Sequence, residues 1–328
     1  MSTVSTLTIN PSIDISTAVA EVAPDRKLRC ERPRLDPGGG GINVARVIHR
    51  LGGACLAFHA AGGHTGRLLC DLLDAEGVVH RPIEIEGNTR EDVTVTDRAR
   101  GHQYRFVMPG PRLAEGEWRR CLEVVLNATP SPDYIVASGS LPEGVPSDFY
   151  ARLAREARTR RFRLVLDTSG EALRAAAAER VYLVKPNRRE VEQLLGRPLS
   201  DESELRQALR QFVHDGHAEA VVVSLGAEGA LLVTSATAER LPAPKVPVES
   251  RIGAGDSMVA GIVLALARGN SLRQAVLLGL AAGSATVMTP GTELCRTADV
   301  ARLQGALSGG HVPAGPDGDD GCLPTLGP

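Results

Sequence analysis

The stretch Ser250-Arg251-Ile252-Gly253-Ala254-Gly255-Asp256-Ser257, running straight into the apolar Met258–Ala267, decides how the chain is read. Two glycines flank one small residue, an aspartate follows, and a helix begins. Glycine carries no Cβ, so successive N–H groups at this helix start are free to converge on an anion. Asp256 falls in the first turn, where a negative side chain complements the helix dipole and faces whatever the loop holds. A carboxylate beside an N–H cradle suits phosphoryl transfer to a hydroxyl. The acid orients the nucleophile and takes its proton, and the loop stabilises charge on the moving group. Hydrogen bonds and the dipole together predict that Asp256 stays ionised at neutral pH. A lone Gly-x-Gly-Asp is equally an ordinary turn with an aspartate cap, so the rest of the chain must choose between the two.

At 328 residues there is room for one large domain with an appendage, or for two domains. Hydrophobic residues at 43% and charged residues at 23% are the proportions of a folded globular enzyme. A formal net charge of −2, with no Lys/Arg cluster interleaved with aromatics, argues against a nucleic-acid partner. The six cysteines (Cys30, Cys55, Cys70, Cys121, Cys295 and Cys322) show no C-x-x-C and no metal-like spacing. They read as reduced thiols of a cytoplasmic protein. The N-terminus lacks the basic and apolar blocks of a signal peptide, and the apolar runs 258–267 and 276–282 are too short to span a membrane. The eight histidines form no H-x-x-x-H pair and read as structural or solvent-facing. Only three lysines, Lys27, Lys185 and Lys245, stand against thirty-four arginines, so a lysine should mark a place where a compact ammonium is wanted.

Along the chain, Val4–Ile9 alternates as a strand and ends at Asn10-Pro11, with Asp14 just beyond. Residues 15–35 read as short strands carrying Lys27, and 92–96 with 103–107 as a hairpin turning at Gly101-His102. These two patches suggest one small sheet, over 14–34 and 87–108, inserted in a main unit of 1–13, 35–86 and 109–307. In that unit buried-looking strands (134–137, 163–166, 181–184, 220–223) alternate with helices, which predicts an α/β fold with a mostly parallel sheet covered on both faces. Polar motifs repeatedly follow strand C-termini, where such sheets bind ligands. Residues 308–328 are rich in Gly, Pro and Asp and read as a disordered tail.

Several of those motifs carry chemistry. Gly38–Gly41 fails as a dinucleotide fingerprint, because Asn43 stands where the third glycine belongs, and no Walker P-loop exists in the chain. Four glycines cost too much chain entropy to be idle, so the loop reads as bare backbone for a polar ligand, with Gly38, Gly39 and Asn43 beside it. Asn187 and Glu190, three apart at a helix start, read either as a capping box or as oxygen donors for water-held Mg²⁺. Ser224-Leu225-Gly226-Ala227-Glu228-Gly229 is a strand end suited to phosphate or ribose, or a plain turn. Asp14, Arg90 and Arg105 carry no signal singly.

Their order does. Asp14, Gly38–Ala45, Lys185-Pro186-Asn187-x-x-Glu190, Ser224–Gly229 and Gly253–Asp256 together resemble the PfkB (ribokinase-like) carbohydrate kinases over roughly residues 4–305. Lys27-Leu28-Arg29-Cys30, Tyr104–Gly110 and Gly139-Ser140-Leu141-Pro142 are similar to the branch of that family that acts on fructose 6-phosphate. The 1-phosphofructokinases and tagatose-6-phosphate kinases, the alternatives within the family, usually carry lysine where Gly40 stands here.

The resemblance implies a three-layer αβα sandwich with a small β-sheet lid, and a homodimer, or a tetramer, built through the lids. It implies transfer of the ATP γ-phosphoryl to the C1 hydroxyl of fructose 6-phosphate. Asp256 would be the base, with Gly253, Ala254 and Gly255 as the anion hole. Lys185, Asn187, Ser224, Gly226, Gly229 and Ser284 would hold ATP, and Glu190 would place Mg²⁺ through water. Asp14, Gly38, Gly39, Asn43, Arg90, Arg105 and Ser140 would hold the sugar phosphate, with Lys27 reaching from a partner subunit. A K⁺ loop is implied near Ser250, Ile252, Thr286, Thr289 and Gly291, although Thr289, Pro290 and Glu293 depart from the family pattern there. A sensor without catalysis on the same fold would have lost Asp256 or the glycine loop, and neither is lost.

Overall fold

The computed structural model describes residues 2–128 and 131–309. In chain order the first elements are β1 Val4–Thr8, β2 Ser12–Val19, β3 Arg34–Gly38, α1 Gly40–Arg50, β4 Leu56–Ala61, α2 Gly63–Ala75 and β5 His80–Glu84. There follow β6 Arg90–Asp97, β7 His102–Phe106, α3 Glu115–Leu126, β8 Tyr134–Ser138, α4 Phe149–Arg160, β9 Arg163–Asp167 and α5 Gly170–Ala177. The C-terminal half adds β10 Val181–Val184, α6 Arg188–Leu195, α7 Glu202–His214, β11 Ala218–Ser224, β12 Ala230–Thr234 and β13 Ala238–Leu241. Helices α8 Ala254–Ala267, α9 Leu272–Val287 and α10 Thr297–Leu307 close the fold.

Nine strands make one sheet in the order β13-β12-β11-β10-β9-β8-β1-β4-β5, parallel except for β12, which runs antiparallel to both β11 and β13 at one edge. The chain leaves β1 toward β4 and β5 on one side and later fills β8 to β13 on the other. The strand order therefore reverses beside β1, and the carboxyl ends there open a crevice. Strand β8 shows why the sheet is covered twice. Ile135 and Ala137 enter one core with Trp118, Phe149 and Leu173, whereas Tyr134 and Val136 enter the other with Val259, Ile262 and Ala281. Helices α3 to α7 cover the first face, and α1, α8, α9 and α10 the second. The α/β expectation holds as a three-layer sandwich.

The second sheet has the order β3-β2-β6-β7. Its alternation separates two surfaces. Ser12, Asp14, Arg90, Asp92 and Arg105 share one face, and Ile15, Leu35, Val93, Val95, Tyr104 and Phe106 share the other. The apolar face is left partly open, with Leu35, Tyr104 and Phe106 exposed.

Some sequence expectations are corrected. Residues 15–35 are not a run of short strands: β2 starts at Ser12, β3 covers 34–38, and 20–33 is a loop tied to the small sheet by scattered bonds, among them Glu31 N to Ala18 O at 2.9 Å and Val22 N to the Asp97 carboxylate at 3.2 Å. Asp14 thus lies inside a strand. The hairpin turns at 98–101, with His102 already in β7. Strand β5 escaped notice because His80-Arg81-Pro82 is edge-strand composition, polar and interrupted by proline. Of the tail expected over 308–328, everything past Gly309 lies outside the described residues. Among the described residues no helix is long and apolar enough to cross a membrane.

Candidate active site

The crevice beside β1 contains a cleft of about 260 Å³ between the polar face of the small sheet and the start of α8. Gly253 caps α8 in the left-handed region, φ 73°, a conformation that a side chain would strain. No side chain caps this helix, so the first-turn N–H groups of Ala254, Gly255 and Asp256 have no side-chain acceptor, and Gly253 and Asp256 beside them line the cleft. Asp256 lines it, and Asn43 Nδ2 donates to Asp256 Oδ2 at 2.9 Å. The orientation of that amide is fixed from behind. The fully buried Arg46 donates from Nη1 to Asn43 Oδ1 at 3.3 Å, and a guanidinium has no acceptor, so Nδ2 must face the aspartate.

The charge state of Asp256 corrects the sequence expectation. Burial, then the nearby negative charge of Asp167, push its pKa up from 3.8 to about 7, against the lowering effects of Asn43 and Lys185. The helix dipole does not outweigh that burial.

Lys185 is 5% exposed, and its Nζ lies 3.2 Å from Asp167 Oδ1 at the ends of β10 and β9. The pairing draws its pKa up despite burial, so it is a fixed ammonium beside α8. Asn187 and Glu190 make the capping box: Asn187 Oδ1 accepts from Glu190 N at 2.9 Å, and Glu190 Oε2 accepts from Asn187 N at 2.8 Å. That bond occupies one carboxylate oxygen, and Glu190 still lines the cleft. Burial, with Asp167 nearby, holds its pKa above the usual range. Asp167, Glu190 and Asp256 set three carboxylates around one mouth, a hard-oxygen donor set whose crowding a divalent cation would relieve. The residues present fit Mg²⁺. A second hollow of about 380 Å³ opens on the other side of α6, lined by Asn187, Ser224 and Leu225, where a β-bridge joins Asn187 to Ser224.

The same cleft is lined by Asp14, Arg90, Arg105, Gly39 and Ser140. The Asp14 carboxylate accepts from Ser12 Oγ at 2.7 Å and rests on the bare Cα of Gly38, where a Cβ would come within 2.3 Å of it. Burial raises its pKa. Arg90 Nη1 donates to both oxygens of Asp92 at 2.9 Å and to Met108 O at 3.1 Å, yet its buried Nε has no partner. A guanidinium with an open donor in a cleft is prepared for an anion. Arg105 reaches the same cleft half-exposed, 3.9 Å from Asp92.

Other expected residues stand apart. Lys27 is exposed on the 20–33 loop and does not line the cleft of its own chain. Gly226 and Gly229 form the tight turn after β11, and Ser284 is half-buried on α9; none of the three lines either hollow. In the loop expected to hold K⁺, two of the expected carbonyls are already engaged. Thr286 O already accepts from Thr289 N at 3.1 Å and from Thr289 Oγ1 at 2.7 Å, and Gly291 O accepts from Ser250 Oγ at 2.7 Å. The Glu293 carboxylate is turned away to Arg34 and Arg296.

Sequence reasoning missed Asp167, Arg46 and the hydroxyl group Ser138, Thr168 and Ser169. The signal for Asp167 and Ser138 was present, since both end parallel strands whose carboxyl ends face the crevice. Arg46 gave none, being one arginine among many.

A base, open helix N–H groups, a fixed ammonium and a carboxylate mouth converge where one small polyol and one polyphosphate can meet, and on this fold they define a phosphotransferase. The chain belongs to the pfkB family of carbohydrate kinases, whose model matches residues 6–299. It is 47% identical over 298 residues to the ATP-dependent 6-phosphofructokinase isozyme 2 of Mycobacterium tuberculosis, covering 91% of this chain and 88% of that one. To the isozyme of the same name from Escherichia coli it is 44% identical over 304 residues, covering 92% and 98%. The crystal structure of Escherichia coli phosphofructokinase-2 with potassium superposes with a TM-score of 0.90 at 43% identity, over 94% of this chain and all of that one. That enzyme has also been solved with fructose 6-phosphate, at a TM-score of 0.89, and in a tetrameric inhibited form.

Proposed function

We propose that the protein transfers the γ-phosphoryl group of MgATP to the C1 hydroxyl of fructose 6-phosphate. The observation that carries the substrate is the pair of guanidinium groups, Arg90 and Arg105, that line the cleft together with Asp256, Arg90 keeping a buried Nε that no protein group engages. A neutral sugar has no use for two cations, whereas a 6-phosphate pairs with them. Identity above 40% to curated 6-phosphofructokinases supports the same reading. Gly40 argues against fructose 1-phosphate. A Cβ at residue 40 would fall 2.1 Å from Ser138 Oγ and 3.1 Å from its carbonyl carbon, so the lysine of the 1-phosphofructokinases has no place here.

Asp14 and Asn43 orient the sugar hydroxyls, and Arg90 with Arg105 clamps the phosphate. Ionised Asp256 takes the C1 hydroxyl proton as the oxygen attacks phosphorus in line. The N–H groups of Ala254 and Gly255 receive the equatorial oxygens of the phosphoryl group in transit, and Lys185 offsets charge between the nucleotide phosphates. The bond to ADP breaks as the bond to the sugar oxygen forms. Bound Mg²⁺, held through water by Glu190 with Asn187 near, would neutralise charge on the nucleotide. The reading does not depend on potassium in the 250–291 loop, where the carbonyls of Thr286 and Gly291 already accept bonds from Thr289 and Ser250.

Two copies pair through the apolar face of the small sheet, which Ile15, Val93, Tyr104 and Phe106 leave open in one chain. That pairing would bring Lys27 toward the neighbouring cleft. The test of the whole reading is kcat/KM for fructose 6-phosphate, tagatose 6-phosphate, fructose 1-phosphate and ribose in a coupled assay. Fructose 6-phosphate should lead and tagatose 6-phosphate follow. A preference for ribose or fructose 1-phosphate would overturn it.

A further inference from the structure

Away from the cleft, under α2, two strands of the large sheet bring His59 and His80 together. His59 is fully buried on β4, and His80 sits on the edge strand β5 with its side chain 7% exposed. Their nearest ring nitrogens, His59 Nε2 and His80 Nδ1, are 3.0 Å apart. The outer nitrogens are already committed. His59 Nδ1 lies 3.2 Å from Ala60 O, and His80 Nε2 lies 3.2 Å from Asp74 Oδ1. A carbonyl and a carboxylate only accept, so both outer nitrogens carry hydrogen and both inner ones present lone pairs. Two lone pairs facing across 3.0 Å repel, and a cation must occupy the gap.

Cys70 supplies the third donor. It follows from α2, one turn before Asp74, and its Sγ and the two imidazoles each offer an atom within 4.8 Å of the others. We propose that His59, Cys70 and His80 form a binding site for a borderline-soft divalent metal ion, Zn²⁺ by the chemistry of the donors. Two imidazoles and one thiolate are a zinc-type set. The outer contacts to Ala60 O and Asp74 are those that orient ligating histidines. Tetrahedral bonds of about 2.0 Å to nitrogen and 2.3 Å to sulfur require the sulfur to approach by roughly 1 Å, within reach of a side-chain rotation. Three protein ligands leave a fourth position, which a water molecule would complete. The ion would clip β5, the edge strand, to β4 and α2. It has no part in phosphoryl transfer.

The competing occupant is a proton shared by the two rings. Chelator-stripped protein is titrated with Co²⁺ and with Zn²⁺, and the melting temperature is followed in parallel. Wild type should bind one Co²⁺ per chain with a sulfur-to-cobalt charge-transfer band, lose that band to Zn²⁺, and melt higher with Zn²⁺. Cys70→Ser should lose the band and the thermal shift while keeping kinase activity with excess Mg²⁺. Asp74→Ala, which removes only the outer contact, should weaken binding by roughly tenfold. A wild type without the band, or a band that survives in Cys70→Ser, overturns the site and leaves the bridging proton.

Discussion

Replacing Asp256 by Asn should cost the enzyme its activity and make it more stable, and the two effects have one cause. Burial and Asp167 raise the Asp256 pKa from 3.8 to about 7. The unfolded chain gives up this proton near 3.8 and the folded chain near 7, so between those values the folded state binds the extra proton. Stability therefore falls as pH rises through that window, and above it the full penalty applies. About three pKa units at 1.36 kcal/mol each give about 4 kcal/mol, and partial solvent access reduces this to about 2–4 kcal/mol. Asparagine is neutral at every pH and its Oδ1 still accepts from Asn43, so the variant escapes the penalty. Urea unfolding at pH 8 should show a gain of about 2–4 kcal/mol, shrinking to almost nothing at pH 4. Turnover should drop by roughly 10²–10⁴-fold. An Asp256→Asn protein that is no more stable than its parent at pH 8 refutes the charge argument, and one that keeps its turnover refutes the base.

The same shift predicts that kcat/KM for the sugar phosphate falls as pH drops through about 7; a flat profile from pH 5 to 8 would contradict it. Arg90→Ala should raise KM for fructose 6-phosphate by roughly 10- to 100-fold, the loss of a charged hydrogen bond, and leave KM for ATP unchanged. Val93→Asp places a charge on the open apolar face, and sedimentation should find monomers with poor sugar affinity; an active monomer would sink the pairing proposal. Exchanging K⁺ for Na⁺ at constant ionic strength should change initial rates little, and a strong K⁺ requirement would show that Thr289 and Ser250 release their carbonyls.

Much of the site was legible because α/β folds put it where motifs are dense. Asp14, Asn43, Lys185 and Asp256 each lie at or near a strand end or helix start, and the fold gathers those ends at one crevice. What depends on pairs from distant segments was not legible. The proton affinity of Asp256 is set partly by Asp167, and Asn43 is aimed by Arg46, and no local pattern announces either contact. The two histidines looked unremarkable because His59 and His80 meet only through the β4–β5 pairing, and β5 itself has the polar, proline-broken composition of a loop. Asn187 and Glu190 were open to two readings, and the capping box proved real without removing Glu190 from the cleft.

The burial of Lys185 also fixes how the protein will meet amine-directed reagents. With that lysine shielded and paired, the side-chain amines open to acylation are Lys27 and Lys245, both exposed and on well-separated loops. Among side chains, a succinimidyl dye or a lysine-specific protease would therefore act at one point in the small-sheet loop and one point before α8, leaving the thirty-four arginines untouched. Labelling at Lys27 becomes a direct reporter of what covers that loop, because protection by dimerisation or by nucleotide would be read at a single peptide with Lys245 as its internal standard.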